Sequence, residues 1–134
     1  MSAQTPPRPL DGLMVLVIDD HRDTVDMLRE YLYAAGATVI GADSARSGLA
    51  FAETHALDVV LVDLHMPGDD GHWFLRQLRA SRTVHTPQVP VFAITGERHD
   101  LPADPASGFV GYFLKPIDLD ALVARLASLS RRSR

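Results

Sequence analysis

The chain has 134 residues, with thirteen basic and seventeen acidic side chains and a formal net charge of −4. That length suits one domain with a core that folds without a disulfide or metal staple. The absence of cysteine excludes a disulfide scaffold, a thiol redox centre and any cysteine-ligated zinc or iron–sulfur site, and the acidic excess argues against nucleic-acid binding.

Residues 1–11 carry Pro6, Pro7 and Pro9, which block regular structure, and read as a flexible tail with no apolar secretory segment. The first apolar run, 13–18, stops at Asp19-Asp20, and its length and Val/Ile content predict a buried strand. Over 24–35, Val25, Leu28, Leu32 and Ala35 recur at helical spacing, and Gly36 follows where a helix closes on a left-handed residue. A β-branched run at 37–41 predicts a second strand. Ser44 is placed to cap a modest helix through Ala45, Leu49 and Ala52.

The run 58–62 is the clearest strand and ends at Asp63. The stretch 66–71, Met-Pro-Gly-Asp-Asp-Gly, is turn chemistry, and Asp69-Asp70 reads as a loop without a role in metal binding. A short helix is predicted over 73–80 with Phe74, Leu75 and Leu78 inward, then a strand over 89–94 ending at Thr95-Gly96. A helix at 97–108 would continue the alternation, but Pro102 and Pro105 reduce it to a turn or an irregular crossover. A fifth short strand over 112–114 precedes Lys115-Pro116, and Asp118 can cap a last helix whose Leu119, Leu122, Val123 and Leu126 repeat at helical spacing. Strict alternation of this kind predicts an α/β fold with a parallel sheet and helices on both faces. No apolar run is long enough to span a bilayer.

Ligands of such sheets bind beyond the carboxyl ends of the strands. Four of the five predicted strands end there in a polar or charged group: Asp19 and Asp20, Asp63, Thr95, and Lys115. Lys115 is also the single lysine among twelve arginines, which marks a role for a compact point charge. Two carboxylates ~4 Å apart repel by about 4 kcal/mol at an effective dielectric near 20. Three acids and one lysine are balanced by a divalent cation, and an oxygen-only ligand set suits Mg²⁺ or Mn²⁺ better than zinc. An acidic cluster, a metal, a lysine and a hydroxyl are the parts of a phosphoryl-transfer site, in which a carboxylate can itself be the nucleophile. Asp63, alone at the end of the central strand, is best placed for that role. The six histidines show no ligand spacing and read as surface residues, although His21, His65 and His72 are placed to approach the site.

The same residues carry a resemblance. In Val15-Leu16-Val17-Ile18-Asp19-Asp20, Val62-Asp63-Leu64-His65-Met66-Pro67-Gly68, Ala93-Ile94-Thr95-Gly96 and Tyr112-Phe113-Leu114-Lys115-Pro116, the chain resembles the receiver domains of response regulators, the CheY-like family of two-component signalling. Each piece alone is weak; all four in order are specific, and the similarity runs over about 13–129. The resemblance implies a flavodoxin-like sheet of order 2-1-3-4-5, with a receiver domain over 12–129 and a basic tail over 130–134.

It further implies that Asp63 is the phosphoacceptor, that Asp20 binds Mg²⁺ directly and Asp19 largely through water, and that His65 lends its backbone carbonyl to the metal. Thr95 and Tyr112 would be the switch pair, Lys115 would pair with the phosphoryl group, the Lys115-Pro116 bond would be cis, and the side chains of His65 and Glu97 would tune dephosphorylation. The implied donor is a histidine kinase or a histidine phosphotransfer protein, and the implied output is contact with a downstream protein by a cytoplasmic monomer. Such a domain catalyses only its own phosphorylation and dephosphorylation. Either a stand-alone regulator, favoured by Met1, or the receiver of a hybrid kinase is expected, since Ala35-Gly36-Ala37 and Ser107-Gly108-Phe109 resemble such receivers. The reduced helix at 97–108 departs from the pattern on the face receivers use for output.

Singly, each feature has an ordinary reading: a solvated acidic turn, a strand-end acid, a capping threonine. Jointly they leave two rival classes. One is a receiver-like binding module that works without phosphorylation; such modules lack part of the acid–threonine–lysine set, which is complete here. The other is a haloacid-dehalogenase-like phosphatase, which needs a second Asp two residues after the first, where this chain has His65. Nucleotide-binding loops are absent.

Overall fold

The apolar runs become the strands of one parallel sheet. The computed structural model describes residues 7–97 and 107–132. The elements are β1 (Met14–Ile18), α1 (Arg22–Ala34), β2 (Thr38–Ala42), α2 (Ala45–Thr54), β3 (Val59–Asp63), α3 (Gly71–Ala80), β4 (Val91–Thr95), β5 (Gly111–Leu114) and α4 (Leu119–Arg132). All neighbouring strands run parallel, in the order β2-β1-β3-β4-β5. The expected five-stranded flavodoxin-like sheet is therefore the observed one.

Side chains alternate across each strand, and the alternation divides the core in two. Leu16 and Ile18 of β1, Val60 and Val62 of β3, and Ala93 of β4 pack with Phe74 and Leu78 on one face, under α2 and α3. Val15, Val17, Leu61, Phe92 and Ile94 pack with Leu28, Leu32, Leu122 and Leu126 on the other, under α1 and α4. Right-handed crossovers require this. The chain steps one way from β1 to β2 and the other way from β2 to β3, so α1 and α2 fall on opposite faces. Each fully buried Leu, Ile or Phe contributes roughly 1.5–3 kcal/mol.

Several boundaries differ from the sequence reading, each for a local reason. Helix α1 starts at Arg22, because His21 takes an extended conformation and acts as its N-cap residue. Helix α3 starts at Gly71, because the Asp70 side chain accepts the Trp73 N–H at 2.9 Å and caps it. Strand β4 starts at Val91: Val89 closes a turn onto the Thr86 carbonyl, and Pro90 has no N–H to donate. Ser44 caps α2 as expected, accepting the Ser47 N–H at 3.1 Å. Gly36 adopts φ 109° just beyond α1, a conformation that favours glycine.

The segment read as a tail over 1–11 is not free along its whole length. Leu10 is fully buried in the α1–α4 side of the core, and its N–H donates to the Ala35 carbonyl at 2.8 Å. Arg8 pairs with Asp11 at 3.2 Å. At the other end, α4 continues through Arg132, so the basic segment read as a tail from residue 130 is helical for its first three residues. The turn or irregular crossover expected over 97–108 falls largely on 98–106, outside the described residues. No helix among the described residues is long and apolar enough to cross a membrane.

Candidate functional site

The strand order reverses between β1 and β3, and in open α/β sheets the crevice beyond the carboxyl ends at such a point is the binding site. Here β1 runs into Asp19 and Asp20, β3 ends in Asp63, β4 ends in Thr95, and β5 is followed by Lys115. All five predicted side chains thus lie at one edge of the sheet. Asp63 is held there by tight packing of the next element: a Cβ on Gly71 would stand 2.7 Å from the Asp63 carbonyl oxygen.

The polar groups converge at short range. Lys115 Nζ lies 2.8 Å from Asp19 Oδ2 and 3.2 Å from Asp63 Oδ2. Asp63 Oδ1 accepts the His65 backbone N–H at 2.9 Å. Asp19 Oδ1 accepts the His21 N–H at 2.9 Å. Asp19 and Asp63 are buried, at 1% and 3% exposure, whereas Asp20 faces solvent. From Asp20 the crevice opens into a cleft of about 500 Å³ running toward Arg22, Asp43 and Ser47.

The two buried carboxyls are pushed in opposite directions. For Asp19, burial raises the pKa, but the Lys115 ammonium beside it and the His21 backbone N–H outweigh burial and hold the carboxyl below its ordinary range. For Asp63, burial together with the Asp19 charge outweighs the His65 N–H and Lys115, and the carboxyl is raised. Burial lowers Lys115, but the Asp19 and Asp63 carboxylates it faces raise it overall, so it stays a cation. Opposed shifts in one crevice are typical of functional sites.

Thr95 is fully buried, and its Oγ1 accepts the Glu97 N–H at 3.0 Å. Tyr112 on β5 is 48% exposed, so its ring lies at the surface while Thr95 is inside. Glu97 and the His65 side chain are at the surface near the crevice. The Lys115-Pro116 bond is cis, as expected.

A divalent cation fits this arrangement. One atom each of Asp19, Asp20, His21 and Asp63 lie within 4.8 Å of one another. The buried Asp19 Oδ2 is paired by charge with Lys115 but has no directed hydrogen bond. Three carboxylates against one ammonium leave negative charge that a dication neutralises.

The histidine in that set, His21, is one the sequence places within reach of the site but reads as a surface residue. His21 Nδ1 lies 3.1 Å from Asp19 Oδ1, although the side chain is 64% exposed. It is a surface residue and a site residue at once. Its position directly after the acidic pair, at a helix N-cap where histidine is not a favoured capping residue, was the available signal.

Fold and site together define the class: a flavodoxin-like α/β domain with an acidic, lysine-bearing crevice at its switch point. The chain belongs to the response regulator receiver domain family, whose model matches residues 15–127. Among similar proteins, the virulence sensor protein BvgS of Bordetella pertussis is 36% identical over 130 residues, covering 93% of this chain and 10% of the relative. The response regulator PleD of Caulobacter vibrioides is 36% identical over 118 residues, covering 87% of this chain and 26% of the relative. The chain spans a tenth to a quarter of the length of these relatives. The receiver domain of the Francisella response regulator 1452 superposes with a TM-score of 0.80 at 25% identity, covering 92% of this chain and all of that one. A CheY-like receiver domain from Methylobacillus flagellatus gives 0.78 at 27%, covering 87% and 98%.

Proposed function

We propose that this receiver domain accepts a phosphoryl group on Asp63. The reading rests on Asp63 being a buried carboxylate, raised in pKa, that shares Lys115 with Asp19 and meets a backbone N–H from His65. An oxygen of Asp63 attacks the phosphorus of a phosphohistidine. The P–N bond breaks, the donor imidazole departs with its electron pair, and an acyl phosphate forms on Asp63. Lys115 orients the carboxylate and meets the incoming negative charge as a point charge. Asp19, Asp20, Asp63 and the His65 carbonyl would hold Mg²⁺ or Mn²⁺, which supplies charge neutralisation for the transfer. The donor is a histidine kinase or a histidine phosphotransfer protein, since a phosphohistidine has the high transfer potential that forming an acyl phosphate requires.

The buried Thr95 hydroxyl and the exposed Tyr112 form the switch. Rotation of Thr95 toward the phosphoryl group vacates space that Tyr112 fills, altering the surface of β5 that a downstream protein reads. His65 and Glu97, at the rim, set the lifetime of the acyl phosphate. We place the domain in the cytoplasm, as a monomer over residues 12–129, with no catalysis beyond its own phosphorylation and dephosphorylation. Nothing in the crevice favours the phosphorylation-independent module, because the acid–threonine–lysine set is complete.

The test is intact-mass spectrometry after incubation with Mg²⁺ and acetyl phosphate, beside Asp63→Asn. A single phosphoryl adduct, lost in the variant and without Mg²⁺, is expected. The assignment fails if the variant takes up phosphate at the wild-type rate. It also fails if neither acetyl phosphate nor beryllofluoride with Mg²⁺ alters the protein.

A further inference from the structure

His21 occupies an unusual place for a helix N-cap. Its backbone is extended as a cap requires, yet its side chain makes no capping hydrogen bond to α1. The ring turns instead into the acidic crevice, where Nδ1 lies 3.1 Å from Asp19 Oδ1, 3.4 Å from Asp20 Oδ1 and 4.0 Å from Asp63 Oδ2. A hydrogen bond to Asp19 accounts for the first contact. It does not account for the approach to all three carboxylates.

Donors that share one cation at bonds of about 2.1 Å stand between about 3 Å apart, when adjacent, and about 4.2 Å apart, when opposite. All three His21 separations fall in that window. Lys115 does not compete for the same atom of Asp19: it faces Oδ2, and His21 faces Oδ1.

We propose that His21 is a metal ligand of this crevice through Nδ1, and that its nitrogen shifts the preference of the site from Mg²⁺ toward Mn²⁺ and later first-row ions. The inference rests on the reading that Asp19, Asp20 and Asp63 hold a divalent cation. An all-oxygen site is indifferent to the affinity of these metals for imidazole. A site with one imidazole gains along the series from Mn²⁺ up to Cu²⁺, with Zn²⁺ below Cu²⁺, while Mg²⁺, which favours oxygen ligands, gains little. The consequence is a receiver whose loaded metal, and with it phosphoryl chemistry at Asp63, follows the local Mn²⁺ to Mg²⁺ ratio.

The test uses the full chain, in wild-type form and as His21→Asn and Asp20→Asn. Asparagine is a favoured N-cap residue, so His21→Asn keeps α1. Mn²⁺ and Mg²⁺ affinities are measured by titration, and the Mn²⁺ complex is examined by pulsed EPR for ¹⁴N coupling. In His21→Asn the Mn²⁺ affinity is expected to fall about tenfold while Mg²⁺ stays within about twofold. The ¹⁴N coupling of the wild type is expected to vanish. An unchanged Mn²⁺ affinity, an equal loss for both ions, or ¹⁴N coupling that persists in His21→Asn overturns the proposal. Asp20→Asn separates the two levels of the argument: it weakens both ions if the carboxylates hold the cation. A wild-type protein that binds neither ion defeats the cation reading itself.

Discussion

Lys115 Nζ lies closer to Asp19 Oδ2, at 2.8 Å, than to Asp63 Oδ2, at 3.2 Å. One ammonium thus serves two buried carboxylates unequally. Asp19 is the better satisfied, and its pKa is lowered; Asp63 is the less satisfied, and its pKa is raised. Of these two, the carboxylate proposed as nucleophile is the one the fold stabilises less.

Asp63→Asn should therefore stabilise the metal-free protein at neutral pH. A carboxyl whose folded pKa lies above its unfolded value contributes stability below the unfolded value and loses it as pH rises through the folded one. At pH 7 the ionised Asp63 is a burden that asparagine lifts, while Lys115 keeps Asp19. A gain of about 1 kcal/mol, or roughly 3–6 °C in Tm, is expected in EDTA. The gain should shrink as pH falls toward the unfolded value. Calorimetry at pH 7 and at lower pH checks this, and a lower Tm for the variant at neutral pH contradicts it.

Asp19→Asn should do the opposite. Its lowered pKa means that stability is present above the unfolded pKa and lost as pH falls through the folded one. The variant gives up the charge on the ion pair with Lys115 and weakens the acceptor for the His21 N–H. A loss of about 1–2 kcal/mol is expected at pH 7, read as a lower urea midpoint with the same slope. Equal midpoints would mean that Lys115 gains nothing from Asp19.

Lys115→Arg keeps the charge but should cut phosphoryl uptake about tenfold or more with little change in Tm. A planar guanidinium cannot sit as a point charge between two carboxylate oxygens as close as those that Lys115 meets. The rate of adduct formation by mass spectrometry decides, and a wild-type rate would show that charge alone suffices.

Gly71→Ala tests how the site is held from behind. The added methyl would meet the Asp63 carbonyl oxygen at 2.7 Å, so α3 or the end of β3 must shift. A loss of about 1–3 kcal/mol is expected, together with slower phosphoryl uptake, since Asp63 moves with its backbone. A variant that loses stability but not uptake would show that α3 yields instead of β3.

The strands were legible because their interiors are wholly buried: the runs ending at Asp19, Asp63 and Thr95 are apolar on both faces, and no other element explains such a run. The convergence of Asp19, Asp20, Asp63, Thr95 and Lys115 followed from those strand ends. Less visible was what short polar side chains do next to a helix. Asp70 reads as loop and His21 as surface, because a cap is defined by one hydrogen bond or its absence and not by a hydrophobic pattern. Leu10 was hidden behind three prolines: a single buried leucine has no periodicity to announce it, and only its place beneath α1 shows its role.

Leu10 also fixes how the domain meets anything attached to it. Its N–H reaches the Ala35 carbonyl at the far end of α1, away from the crevice where that helix begins. Helix α4 starts just after Lys115 and runs for fourteen residues, about 21 Å, in the same direction. Both flanks of the domain therefore leave from the pole opposite Asp63. The acidic pole that a phosphodonor must reach is therefore the end of the domain away from Leu10.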